Sequence, residues 1–273
     1  MRKMQWRLIV SEFTSGAHEV ALDEAILLRL LEGKSPPTVR LYASQREWVS
    51  IGAFQPALED INTLALASRG LNLVRRPTGG GAVLHGNDLS YSMVAKSQDL
   101  AKDGGILGIY RALSSIICTS MQKRGLTTFM ANPANSNRSS SNRGACFGSV
   151  APFELLVGGR KVAGHAQRQK GEAFLLEGTL LMREGQARLA PLLNLPPGET
   201  SHMEQVLRRQ STCWYEEEGN TPSLADFASS LQEAFQQSLG ISLLPGGPYP
   251  EEYGLASRLL DEKYTSPAWN HRF

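Results

Sequence analysis

Cysteine is scarce in this sequence, and the few residues present form no pattern. Three cysteines among 273 residues show neither C-x-x-C spacing nor histidines at zinc-ligand spacing. An odd set without such spacing excludes a disulfide framework and a structural zinc site. We therefore expect no metal, and Cys118 and Cys213 are predicted to be structural residues.

Long apolar runs and an excess of one charge are also missing. No apolar run approaches the roughly 18 residues that a membrane-spanning helix requires, and the N-terminus has no signal-peptide core. Lys and Arg number 28 against 26 Asp and Glu, a net charge of +2. This balance gives no argument for nucleic-acid binding. The sequence predicts a cytoplasmic protein that binds neither membrane nor nucleic acid.

Helical and strand patterns alternate along a chain of ordinary globular composition, with 41% hydrophobic and 20% charged residues. Apolar periodicity predicts helices at 18–31, 58–68, 106–123 and 224–239. Strands are predicted at 38–42, 48–51, 72–75 and 173–182. Because no repeat or second-domain boundary is visible, we expect one catalytic domain over 1–273, with a core at about 34–245 and a helical extension at 246–273.

A tight hairpin is predicted around Gly158 and Gly159. Leu155 and Val157 alternate with neighbours as in a strand, and the glycine pair suits a two-residue turn that requires positive φ. The returning strand starts at residue 160, and positions two apart on a strand share a face. The alternation therefore places Lys161 on the same face as His165, with Gly164 on the opposite face.

Cys146 and Lys161 are a candidate nucleophile and a candidate charge stabiliser. A thiol attacks as thiolate, and a nearby ammonium favours that charged form. The alternative reading is that Cys146 is a small apolar residue and Lys161 a solvated hairpin lysine. The pair alone does not decide between these readings.

A glycine triplet follows two arginines in the segment from Arg75 to His85. Gly79, Gly80 and Gly81 expose backbone N–H groups and permit close approach of a ligand. The segment is not a P-loop, since no Gly-Lys-Ser/Thr follows, and a strand-like run follows where a dinucleotide fingerprint would open a helix. The arginines either hold an anionic group or lie in a solvated loop.

Three blocks, in order along the chain, carry a family resemblance. They are Pro37–Tyr42 with Ser50–Gln55, then Arg75–Ala82, then Gly159–Gln167. Together they resemble the biotin/lipoate protein ligase superfamily, and within it the enzymes of lipoate assembly, over nearly the whole chain. The resemblance implies an α+β catalytic domain with a mixed, largely antiparallel sheet flanked by helices.

The cysteine distinguishes two branches of that superfamily. Lipoate ligases, which activate a free acid with ATP, usually carry Gly-Arg-Asn-Asp where this chain has Ala151 to Glu154. Octanoyltransferases of the Gram-positive type carry Ala-Cys-Phe ahead of the hairpin, as this chain does around Cys146, with a lysine fifteen positions later. The resemblance to this branch implies that Cys146 forms an acyl thioester and that Lys161 stabilises its thiolate and contacts the acyl carbonyl.

The octanoyltransferase resemblance also implies the substrates. Octanoyl would come from acyl carrier protein and pass to a lysine of a lipoyl-domain protein such as the glycine cleavage H protein, with no cofactor. The near-neutral chain permits docking to an acidic carrier. The alternatives are an ATP-dependent lipoate ligase, an amidotransferase that moves octanoyl between lipoyl domains, and a non-catalytic module that binds a lipoyl domain.

The expected substrate-binding residues lie in two of the blocks. They are Arg75, Arg76, Thr78, Gly79, Gly80, Gly81, His85, Gly164 and His165. The family commonly has serine where this chain has His165. That histidine is either a general base on the face of Lys161 or a neutral, half-buried ring hydrogen-bonded to backbone. The polar loop at 132–144 is a further candidate, which could order over the acyl chain.

Overall fold

The computed structural model describes residues 4–44, 46–100, 105–133 and 144–273. Its strands are Gln5–Glu12 (β1), Thr38–Ala43 (β2), Trp48–Ile51 (β3), Leu73–Arg75 (β4), Val83–His85 (β5), Asp88–Lys96 (β6), Phe129–Met130 (β7), Leu155–Val157 (β8), Arg160–Lys170 (β9), Ala173–Leu181 (β10) and Ser242–Pro245 (β11). Its helices are Gly16–Leu31 (α1), Ala57–Asp60 (α2), Thr63–Ser68 (α3), Gly105–Gln122 (α4), Thr200–Gln210 (α5), Trp214–Glu218 (α6), Leu224–Leu239 (α7), Pro250–Leu259 (α8) and Pro267–Asn270 (α9).

Eight strands form one mixed sheet in the order β11-β1-β2-β6-β10-β9-β8-β7. Strand β1 runs parallel to β2 and β11, and the other neighbouring pairs are antiparallel. This architecture confirms the predicted α+β class with a mixed, largely antiparallel sheet flanked by helices. A smaller sheet, β4-β3-β5, leads the chain into and out of the glycine triplet.

Helices cover both faces of the large sheet. The apolar sides of α4 and α7 pack on one face, and α1 packs on the other together with α8. Helix α7 has the bounds that periodicity predicts, because the Ser223 hydroxyl accepts a hydrogen bond from the N–H of Asp226 and Gly240 ends the helix at φ 67°. The core begins before the predicted residue 34, since β1 and α1 are integral to the sheet and its packing.

The helix predicted at 58–68 is wrong in one respect, because the structure divides it into α2 and α3. Ile61 is extended, with φ −114°, and forms an isolated bridge to Leu193. The side chain of Asn62 then caps α3 by accepting a hydrogen bond from the N–H of Ala65. Asparagine competes well for such capping positions, which explains why the helix restarts there.

The predicted helical extension at 246–273 contains α8 and α9. Its anchor is a buried ion pair in which the Arg7 guanidinium donates to both carboxylate oxygens of Glu252, at 2.9 and 2.5 Å. No helix in the described part of the chain is long and apolar enough to cross a membrane. The loop predicted at 132–144 falls mostly outside the described residues, which exclude 134–143.

Candidate active site

A β-bulge in β9 sets the direction of the Lys161 side chain. The predicted glycine turn is present, with φ 55° at Gly158 and 85° at Gly159. Beyond it the register shifts between two neighbouring pairs, Leu156 with Lys161 and Leu155 with Ala163. The extra residue interrupts the alternation. The prediction that Lys161 shares a face with His165 is therefore wrong, and Lys161 instead lies over Gly164, where an added methyl group would be 2.6 Å from Lys161 Cε.

The ammonium of Lys161 has three partners and is almost completely buried, at 1% exposure. Its Nζ donates to Glu154 Oε1 at 2.6 Å, to the Cys146 carbonyl at 2.8 Å and to Cys146 Sγ at 3.5 Å. Burial lowers the pKa of Lys161, but the charges of Cys146 and Glu154 outweigh it and leave that pKa raised. Lys161 is thus a cation beside the thiol. It is not a base.

Glu154 is one of two residues of this site that the sequence did not single out. One carboxylate oxygen accepts from Lys161, and the other accepts from the N–H of Ala151 at 2.7 Å. The tight turn before it places Phe153 at φ 64°. The available signal was its position, since Glu154 stands where the aspartate of the ligase motif would fall. Its carboxylate holds Lys161 in the direction of the thiol.

The backbone around Cys146 is joined to the glycine triplet. The N–H of Cys146 donates to the Ala82 carbonyl at 2.9 Å, and the N–H of Ala82 donates to the Gly144 carbonyl. A side chain at Gly81 would lie 2.5 Å from the Gly144 carbonyl oxygen. This glycine is therefore required by the protein's own backbone, because the segment that carries Cys146 passes directly over it.

Gly79 and Gly80 differ from Gly81 because both line the cavity in front of Cys146. Gly80 adopts φ 92°, and a side chain there would meet the Arg76 guanidinium at 2.8 Å. Around Gly79 nothing lies within 4 Å of a Cβ position. Of the three glycines, Gly79 is thus the one whose small size is explained neither by neighbouring protein atoms nor by positive φ.

A polar chain links Arg76 to His85 along the cavity wall. Arg76 donates to Ser50 Oγ at 2.9 Å, and Ser50 Oγ is 2.9 Å from His85 Nε2. The other ring nitrogen is 2.9 Å from Asp88 Oδ2, and the ring stacks on Trp48 at 4.0 Å between centroids. A proton on Nδ1 satisfies Asp88 and leaves Nε2 to accept from the serine hydroxyl. Arg76 also donates to two carbonyls of the glycine triplet, those of Gly79 and Gly81, and so fixes its shape.

Thr78 connects the glycine triplet to the large sheet and does not line the cavity. Its hydroxyl donates to Glu177 Oε2 at 2.6 Å. Burial, together with the nearby carboxylate of Asp23, raises the pKa of Glu177 to about 8. Glu177 lines the cavity and was not singled out from the sequence, since a lone glutamate in a strand has no recognisable motif.

His165 is a buried, neutral ring that faces α4. Its Nδ1 is 3.1 Å from the Tyr91 hydroxyl, and its Nε2 is 2.7 Å from the Ser114 hydroxyl. Burial, with a contribution from the Lys161 charge, lowers the pKa of His165 to about 3. Of the two alternatives, the neutral ring fits the structure, although its partners are side-chain hydroxyls and not backbone groups. His165 is therefore unsuited to act as a base near neutral pH.

The cavity has a volume of about 510 Å³, within the range of pockets that bind small molecules. Most of its side chains are apolar or aromatic, among them Val20, Tyr42, Trp48, Val83, Leu107, Tyr110, Phe147 and Pro152. Six of the predicted site residues line it together with Cys146: Arg76, Gly79, Gly80, His85, Gly164 and His165. An extended apolar chain attached to Cys146 would fit this environment.

Arg75 does not line the cavity, contrary to its predicted role in substrate binding. Its side chain is fully buried and donates to six backbone carbonyls, those of Gly52, Ala53, Gln55, Trp269, Asn270 and Arg272. Adjacent residues of a strand point to opposite sides, so Arg76 meets the cavity while Arg75 meets the C-terminal segment. Arg75 ties that segment to the small sheet.

Replacing Arg75 by alanine is expected to lower the free energy of unfolding by about 3 kcal/mol or more, because several buried carbonyls lose their donor. Chemical denaturation of the variant measures this. The exposed Arg69→Ala serves as a matched control and should stay within about 0.5 kcal/mol of the parent. An Arg75→Ala protein of unchanged stability but poor acyl-chain binding would restore the predicted substrate role.

Comparisons with known proteins agree with this fold. A structure of lipoate-protein ligase A bound with ATP superimposes with a TM-score of 0.79 at 25% identity, covering 98% of this chain and 99% of the other. The family model of the lipoyl protein ligase A/B catalytic domain matches residues 15–236. The chain has the architecture of a lipoate-attachment enzyme.

The sequence relatives specify the family further. Octanoyltransferase LipM of Brevibacillus brevis is 36% identical, over 98% of this chain and 99% of the relative. Octanoyltransferase LipM of Bacillus subtilis is 32% identical over the full length of both. This chain belongs to the lipoyl protein ligase A/B catalytic domain family.

Proposed function

We propose that this protein is an octanoyltransferase of lipoate biosynthesis. It moves octanoyl from acyl carrier protein, through a thioester on Cys146, to a lysine of a lipoyl-domain protein. The observation that carries the proposal is the Lys161 ammonium, 3.5 Å from Cys146 Sγ at the wall of a largely apolar cavity. The likeness to octanoyltransferases over 98% of the chain supports the same reaction.

In the first half-reaction the Cys146 thiolate attacks the carbonyl carbon of the octanoyl thioester. A new carbon–sulfur bond forms to Cys146, and the bond to the pantetheine sulfur breaks. That sulfur leaves as a thiolate and takes up a proton from solvent. One thioester replaces another, so the exchange is close to energetic balance and requires no nucleotide.

Lys161 supports this step through its weakest contact. Two of its three N–H donors are held at 2.6 and 2.8 Å by Glu154 and the Cys146 carbonyl, while the third reaches Sγ only at 3.5 Å. Once the sulfur has bonded to the carbonyl carbon it is uncharged, and that donor is available to the oxyanion of the tetrahedral intermediate. One well-placed donor of this kind contributes on the order of 3 kcal/mol.

In the second half-reaction the neutral ε-amine of the acceptor lysine attacks the Cys146 thioester. An amide bond forms, the carbon–sulfur bond breaks, and the proton lost by the amine nitrogen returns the thiolate to a thiol. The amide is more stable than the thioester, which makes the transfer downhill. We propose the glycine cleavage H protein as the acceptor.

Incubation with octanoyl-acyl carrier protein, without nucleotide, is expected to add one octanoyl group to the protein. Intact-mass measurement followed by peptide mapping should locate it on Cys146. The Cys146→Ser variant should form no hydroxylamine-sensitive adduct, whereas Cys118→Ser, a change at a buried cysteine, should be acylated as the parent is.

The same measurement separates the alternatives. An ATP-dependent ligase is the second candidate, because the superimposed structure is a lipoate-protein ligase A with bound ATP. If modification requires free octanoate and ATP, the protein is that ligase and not a transferase. Acylation of Cys146 by octanoylated H protein, but not by octanoyl-acyl carrier protein, would identify an amidotransferase.

A further inference from the structure

A second cleft, of about 410 Å³, adjoins the cavity of Cys146. The two share Gly79 and Gln167 as lining residues, so they meet where β9 passes beside the glycine triplet. Nothing in the thioester chemistry of Cys146 uses the far side of this cleft.

The cleft is positively charged. Three cations line it, Arg168, Lys263 and Arg272, and no carboxylate does among the described residues. Glu24 lies behind them and pairs with two of the three, at 2.5 Å from Lys263 and 3.6 Å from Arg168. One carboxylate for three cations leaves a net positive charge.

The cations repel one another and are partly unpaired. Burial and the charge of Arg168 lower the pKa of Arg272. Burial also lowers the pKa of Lys263, with Arg168 and Lys170 acting in the same direction against Glu24. The buried Nε of Arg272 has no hydrogen-bond partner. Like charges that line one cleft are stabilised by an anion between them.

Gln167 marks the junction of the two spaces. Both its amide oxygen and its amide nitrogen are buried without a hydrogen-bond partner. An unpaired buried amide costs free energy unless a ligand or water satisfies it. The group that passes from the cavity into the cleft should therefore offer both a donor and an acceptor, as a peptide-like amide does.

We infer that the cleft binds the phosphate ester of the donor's phosphopantetheine arm, and that the arm's amides pass Gln167 on the way to Cys146. The inference rests on the proposed function. In order, the arm carries a thioester, two amides and a phosphate. The protein groups follow the same order: the thiol of Cys146 in the cavity, the amide of Gln167 at the junction and the three cations in the cleft.

The test compares two donors that differ only in the phosphate. Single-turnover acylation of Cys146 by octanoyl-4′-phosphopantetheine is expected to have a second-order rate constant about tenfold above that of octanoyl-pantetheine. In the Arg168→Gln/Arg272→Gln variant this ratio should fall to about one. Arg209→Gln, a change at an exposed arginine of α5 that lines neither space, should keep the ratio of the parent.

Inorganic phosphate provides a readout that needs no variant. It should slow acylation by octanoyl-phosphopantetheine and leave acylation by octanoyl-pantetheine unaffected. A ratio near one in the parent, or a ratio preserved in the double variant, would overturn the phosphate site. Faster acylation by the intact octanoyl carrier alone, with equal rates for the two small donors, would also overturn the phosphate site. It would assign the cleft to acidic side chains of the carrier. If no octanoyl thioester acylates Cys146, the proposed function itself fails.

Discussion

Replacing Lys161 by arginine is expected to reduce octanoyl transfer nearly as far as replacing it by alanine, on the order of 10²–10³-fold. The compact ammonium reaches Glu154, the Cys146 carbonyl and Cys146 Sγ from one buried point. A planar guanidinium keeps the charge but is larger, and it cannot place its donors at that point. The measurement is the single-turnover rate of transfer to the acceptor.

Thiol reactivity gives an independent readout of the same variants. Alkylation of Cys146 by iodoacetamide at fixed pH should slow in Lys161→Ala, because the thiolate loses its neighbouring cation. Lys34→Arg, at a lysine with a 62% exposed side chain, is the matched control and should change neither rate. Full transfer activity in Lys161→Arg would mean that Lys161 acts only as a diffuse charge.

Replacing Gly164 by alanine is expected to lower transfer by about 10²-fold while leaving the fold intact. The new methyl would lie 2.6 Å from Lys161 Cε and 2.9 Å from its Nζ. These atoms belong to the end of a flexible side chain, which moves aside more readily than backbone does. The displaced ammonium then no longer meets Cys146 Sγ. Transfer rate and melting temperature, measured together, test this.

Gly108→Ala is the control for Gly164→Ala. This glycine lies within α4, and its Cβ position has no neighbour within 4 Å. Alanine favours a helix by up to about 1 kcal/mol over glycine, so Gly108→Ala should keep full activity at equal or higher stability. Unimpaired transfer by Gly164→Ala would show that the position of Lys161 tolerates displacement and would weaken its assigned role.

Chemistry that resides in a single residue type can be predicted from the sequence. Cys146 and Lys161 form a candidate pair because thiols and ammonium groups have intrinsic reactivity, and the structure places them in contact. The helix at 224–239 is predicted with its correct bounds because periodicity and caps agree there. For the cysteine–lysine pair and for this helix, the residues of the segment itself are enough for the prediction.

Features that depend on distant segments cannot be predicted in the same way. Arg75 and Arg76 are neighbours with equal sequence signals, yet Arg75 is occupied by carbonyls of residues 269–272, which lie about 195 positions away. The helix break before Asn62 also depends on a distant segment, because Ile61 is held extended in a bridge to Leu193. Glu154 is marked in the sequence only by its position at the place of the ligase aspartate, and its contact with Lys161 depends on the bulge that turns Lys161 toward it.

The bulge in β9 gives two neighbouring residues, Gly164 and His165, different surroundings. It puts Lys161 and Gly164 on the side of the thiol, whereas the ring of His165 is held by the Ser114 hydroxyl under α4. A substitution at His165 therefore reshapes the cavity wall without contacting the reactive ammonium. A change at Gly164, in contrast, alters the shape of the cavity and the position of the Lys161 ammonium together. Neighbouring positions of one strand therefore differ in what a substitution changes: at His165 the shape of the cavity wall, and at Gly164 the position of Lys161 as well.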